Sequence, residues 1–138
     1  MGTYKTEATT RPLGQLDSSH HLIESDRVEG TAVIDPKGVK IGTIERLMID
    51  KLSGQVRYAV LASGGFLGLG ESHHPLPWDV LNYNAEEGAY VVDLDRETLE
   101  RAPHYLGRDE PDWSSRDYNV RIFEYYRVDF PPRSSARL

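Results

Sequence analysis

Short β-branched runs broken by turn clusters are the feature that most constrains this chain. Thr31–Ile34 ends in Asp35-Pro36-Lys37-Gly38, where proline presets the turn and glycine closes it. Lys40–Asp50 runs into Lys51-Leu52-Ser53-Gly54, which reads as a four-residue hairpin loop. Its apolar positions Ile41, Ile44, Leu47, Met48 and Ile49 do not alternate strictly, which predicts a bulge or bend near Gly42. Val56–Ser63 alternates with apolar residues on both faces, as suits a strand covered on two sides. Gly64–Gly70 reads as an irregular loop, Glu71–Leu76 as a short strand, and Leu81–Asn84 with Tyr90–Leu94 as a pair flanking Ala85-Glu86-Glu87-Gly88. The prolines of Pro75-Leu76-Pro77-Trp78 keep that strand from being central throughout. Asp95 as a cap, Thr98 in the first turn and Pro103 as a stop mark a short helix, and Asp112–Val128 carries a weaker helical period. About six short strands with a closing helix imply a mainly β fold, a small antiparallel barrel with a partly helical C-terminal extension.

The 138 residues suffice for one domain with a core of its own. No cysteine is present, which excludes disulfides, thiolate metal sites and cysteine nucleophiles. Residues 1–21 have no apolar period and read as a polar, flexible arm. Neither a secretory signal nor a run of membrane-spanning length is expected, which makes the expected location cytoplasmic. The net charge is −6, and residues 55–102 hold eight acidic residues against three basic ones. A surface of that sign argues against nucleic acid and for a partner with a basic surface. Residues 103–138 are neutral by count and hold seven of the thirteen aromatics, so they are expected to pack on the barrel or on a neighbouring subunit.

The candidate sites are few. Gly65-Phe66-Leu67-Gly68-Leu69-Gly70-Glu71 is no phosphate loop, because Glu71-Ser72 stands where lysine and serine would be needed. The apolar Phe66, Leu67 and Leu69 between glycines mark instead a loop for contact with a second subunit or another protein. Trp113, Tyr125 and Tyr126 are further candidates for partner contact. His73 and His74 point to opposite faces of a strand and cannot share one metal ion; with His20-His21 they form no ligand spacing. Ser72, His73 and Asp79 can be written as a triad, but no nucleophile elbow accompanies them. Neither metal, cofactor nor catalysis is therefore expected.

The segments Val28-Glu29-Gly30-Thr31-Ala32-Val33, Asp35-Pro36-Lys37-Gly38-Val39-Lys40-Ile41-Gly42-Thr43-Ile44-Glu45, Gly54-Gln55-Val56-Arg57-Tyr58-Ala59-Val60 and His74-Pro75-Leu76-Pro77-Trp78 resemble the PRC-barrel family. The resemblance runs from about Leu22 to Arg101 and divides the chain into an arm (1–21), a barrel (22–102) and an extension (103–138). It implies a stand-alone bacterial or archaeal docking module without covalent chemistry. The family's barrels serve in the photosynthetic reaction centre H subunit and in a ribosome maturation factor. The membrane helix of the one and the RNA-processing domain of the other have no counterpart here, so neither job is carried over. A self-associating module, expected as a dimer, is the first reading. A small-ligand or metal-responsive binding protein, or a ribosome- or RNA-associated factor, is the alternative.

Overall fold

Seven strands, ordered β5-β6-β1-β2-β3-β4-β7, make one sheet in a computed structural model that describes residues 21–64 and 71–130. The strands are β1 (Ala32–Ile34), β2 (Lys40–Ile49), β3 (Val56–Gly64), β4 (Glu71–Pro77), β5 (Asn82–Asn84), β6 (Ala89–Val91) and β7 (Tyr105–Leu106). Three short helices join them: α1 (Ser25–Val28), α2 (Arg96–Arg101) and α3 (Arg116–Tyr125). All pairings are antiparallel except β1 with β6, which is parallel. The mainly β expectation holds, with two corrections. One parallel pair interrupts the antiparallel pattern, and the ladder stays open between β5 and β7 among the described residues. The seventh strand, β7, is only two residues long and carries no periodic signal of its own.

The turns behave as their residues dictate. Asp35 Oδ1 accepts from the Lys37 and Val39 amides at 2.9 and 2.8 Å, and Asp50 Oδ1 accepts from Leu52 and Ser53 at 2.9 and 3.0 Å. Both loops close on a glycine with positive φ, Gly38 and Gly54. The β1–β2 register shifts at Ile41, beside Gly42, where Ile34 pairs with Lys40. A Cβ at Gly42 would lie 2.5 Å from the Ala62 carbonyl, so β2 and β3 can meet there only at glycine. A second irregularity falls at Glu45.

Alternation sorts the two faces of the sheet. Val33, Ile44, Ala59, Leu61 and Leu76 form an inner core with Val92 and with Leu99 of α2, all at most 1% exposed. Each valine, leucine and isoleucine among them contributes roughly 1.5–3 kcal/mol by leaving water. Helix α2 docks here because Asp95 accepts from the Thr98 amide at 2.8 Å and fixes its start. The prolines of β4 lie where expected: β7 pairs only with Ser72 and His73, which leaves Pro75–Pro77 an edge on that side.

The opposite, outer face carries a second cluster. Tyr58 meets Ile122 and Phe123 of α3, with Met48, Trp113, Tyr126, Val128 and Phe130 packed around them. Ser115 caps α3 by accepting from the Tyr118 amide at 3.2 Å. At the other end Arg127 adopts φ 60°, and the Val128 amide donates back to the Phe123 carbonyl at 2.9 Å. That turn leads the chain back to Phe130, whose ring lies 5.6 Å from the guanidinium of Arg57 and 5.6 Å from that of Arg116.

One polar joint ties α3 to the sheet. The Tyr58 hydroxyl donates to Asn119 Oδ1, and Asn119 Nδ2 donates to the Trp113 and Ser115 carbonyls at 3.0 and 2.7 Å. Asn119 is 3% exposed, so each of these bonds replaces water that cannot reach it. Tyr58→Phe strands the Asn119 carbonyl oxygen in the core. The expected result is a loss of about 2 kcal/mol in a urea melt with an unchanged m-value.

Candidate functional site

The remainder of the outer face is polar and concave. His73 and Tyr105 stand opposite each other on β4 and β7, and their rings stack at 4.8 Å between centroids. Glu45 reaches across from the irregular point of β2, and its Oε1 lies 2.6 Å from His73 Nδ1. A carboxylate can only accept, so the imidazole donates to Glu45 from Nδ1. Arg46 then bridges two carboxylates, at 3.0 Å to Glu45 and 3.5 Å to Glu110. The Trp113 indole N–H donates to the other oxygen of Glu110 at 2.9 Å. Glu45, Arg46, His73, Tyr105 and Glu110 line a cavity of about 500 Å³ together with Glu71, Gly107 and Arg108. Burial, with Glu110 and Glu45 nearby, pushes the Tyr105 hydroxyl up to about 12.

The other histidine of the pair faces inward. His74 is 2% exposed, and its Nε2 lies 3.0 Å from Ser72 Oγ. Its ring stands 5.2 Å from that of His104. Burial, then the neighbouring His104 and His73, hold it down to about 4. Ser72 thus engages His74, not the His73 of the written triad, and no carboxylate orients that imidazole. No group of three metal-ligating side chains occurs among the described residues. The opposed faces of His73 and His74 follow from strand alternation, as expected.

Of the residues singled out for partner contact, Phe66, Leu67 and Leu69 lie outside the described residues. Trp113 packs within the chain against Tyr58, tilted, and edge-to-face against Tyr105 and Tyr118, with centroids 5.9 to 6.1 Å apart. Tyr126 is half-buried and belongs to both apolar clusters. The hydroxyl of Tyr125 donates to the Thr98 carbonyl of α2. All three therefore make intramolecular contacts and keep partial exposure. The Glu45–His73–Tyr105 grouping escapes sequence reading, because the three residues lie on different strands. A histidine and a glutamate on the outward-facing positions of two strands are the only signal the sequence offers.

Fold and site together define a class: a small β module with an apolar interior, whose outer face is shared by a C-terminal helix and a polar hollow. The PRC-barrel domain model matches residues 20–99, more than half of the chain, and the chain belongs to that family. A comparison with curated proteins finds no match. Among solved structures, a RimM protein of Pseudomonas aeruginosa, titled for 16S ribosomal RNA processing, is 22% identical with a TM-score of 0.36. The match covers 54% of this chain and 45% of that one, so the chain spans less than half of that protein's length. No helix among the described residues is long and apolar enough to cross a membrane.

Proposed function

We propose that this protein is a non-catalytic interaction module of the PRC-barrel type, one that self-associates and docks to another protein in the cytoplasm. The observation that carries this reading is the apolar end of the β2–β3 hairpin. Ile49 is 52% exposed and Leu52 is 92% exposed. Their loop is held by the Asp50 bonds to Leu52 and Ser53 and by the Asp50–Arg57 ion pair at 2.9 Å. A rigid loop that presents leucine to water loses little conformational entropy when a partner covers it. The apolar Phe66, Leu67 and Leu69, read from the sequence as a docking loop, supply a second contact in this reading. The acidic stretch between residues 55 and 102 favours a basic surface on the partner.

Leu52→Asp tests the hairpin without touching the core, since that side chain contributes almost nothing to burial. The expected outcome is an unchanged melting temperature with a shift of the light-scattering mass from the oligomer to the single chain. An unaltered oligomer in Leu52→Asp, and again in a Phe66→Ser, Leu67→Ser double variant, contradicts the proposed surfaces.

A further inference from the structure

We propose that the joint between β4 and β7 is an acid-opened latch, in which protonation of His74 against His104 frees residues 102–107 from β4 while β1 to β4 stay paired. Two ring pairs hold this joint, one on each face. On the outer face the His73 ring stacks on that of Tyr105 at 4.8 Å. On the inner face the His74 ring lies 5.2 Å from that of His104. The backbone adds little to them. β7 pairs with β4 only at Ser72 and His73, and the Gly107 amide donates to the Glu71 carbonyl at 3.0 Å. On its other side β4 pairs with β3 from Tyr58 to Gly64, so β7 is the weaker of its two attachments.

The two faces of the joint differ in what they offer a proton. On the outer face Glu45 Oε1 stands 2.6 Å from His73 Nδ1, a carboxylate against the imidazole. The inner face has no such group. His74 is 2% exposed, and its Nδ1 is buried without a hydrogen bond. From β4 itself His74 meets the Ser72 hydroxyl at 3.0 Å and, across the strand, His73. β3 sets the apolar Leu61 opposite it, α2 the Leu99 carbonyl, and the chain after α2 the ring of His104. The charged form therefore faces two other imidazoles in a dry interior, with one carbonyl in its favour. Burial first, then His104 and His73, hold His74 down to about 4.

His104 is placed to turn that cost into movement. It is exposed, and its Nδ1 donates to the Ala102 carbonyl at 2.8 Å, so it travels with the connection and not with the sheet. Moving residues 102–107 outward lets water reach His74 and separates the two rings. The open form then binds the proton near the ordinary histidine value of about 6.5, and acid selects it. Opening bares the β4 edge at Ser72 and His73 and withdraws Tyr105 from the outer-face hollow.

Amide exchange followed by NMR on the full chain tests the latch. Between pH 7.5 and 5.5 the protection of the Gly107 amide, taken against intrinsic exchange, should fall about tenfold. Throughout that range the β2–β3 ladder amides should stay at least about a hundredfold better protected, because only the joint opens. In His74→Leu the Gly107 protection should not change with pH. His104→Gln, at an exposed position, should keep the fold and raise the pH at which the His74 ring titrates, because it removes the nearer like charge. The latch is overturned if Gly107 is protected as strongly as the ladder, or if its protection does not fall with pH. It is equally overturned if the fall persists in His74→Leu, or if His104→Gln leaves the His74 titration unmoved.

Discussion

Phe123→Ala is expected to cost about 4 kcal/mol, the largest effect of any single substitution considered, and to release α3 from the sheet. Phe123 is 1% exposed. Its ring sits 5.5 Å from that of Tyr58 and 5.0 Å from that of Phe130, between a strand on one side and the returning chain on the other. The alanine would leave a void bounded by the rigid β3 backbone, where collapse is limited, so the cavity cost adds to the lost transfer energy. Total stability of a domain this size is roughly 5–15 kcal/mol, so the variant forfeits a large share of it. Urea melts followed by tryptophan fluorescence, to which Trp113 on the same Tyr58 ring contributes, read the loss directly. Phe123→Leu keeps most of the volume and should lose about 1.5 kcal/mol. A loss below about 1 kcal/mol in the alanine variant would mean that α3 does not hold the outer face.

Acid should destabilise the fold well before the usual carboxylate range, through His74. Its folded-state value is held down to about 4, and an unfolded histidine titrates near 6.5. The unfolded chain therefore binds the proton first. Stability from the neutral, buried ring is complete above about pH 6.5 and is lost as pH falls toward 4, by about 3 kcal/mol in all. Asp50, Asp95 and Asp112 are also held low, by hydrogen bonds from Ser53, Thr98 and Ser114 respectively. Their contributions disappear only below the ordinary aspartate range and so fall in a separate window. Melts at a series of pH values should show the decline between pH 6.5 and 4 in the wild type. A His74→Leu variant should lack that decline. An equally steep decline in the variant would assign the acid sensitivity to other groups.

The sequence reveals the parts of this fold that have local causes. Asp35-Pro36-Lys37-Gly38 and Lys51-Leu52-Ser53-Gly54 carry their turns in their own side chains, and both turns are present. The cap at Asp95 and the glycine near the β2 bulge are equally local. What stays hidden depends on pairing across the chain. The parallel contact of β1 with β6 joins residues nearly sixty positions apart. Tyr105–Leu106 is a strand only because β4 offers it Ser72 and His73. For the same reason the engagement of His73 stays hidden, since its carboxylate partner, Glu45, is supplied by β2 across the intervening β3. The aromatic richness of residues 103–130 signals packing but not its target, which is Tyr58 on the outer face.

Multi-angle light scattering on a sizing column is the sharpest test of the proposed self-association. The full chain has a mass of 15.6 kDa. A species of about twice that mass is expected at micromolar concentration, shifting to the single chain in Leu52→Asp. A mass of 15.6 kDa at every concentration, with no change in the variant, would contradict it.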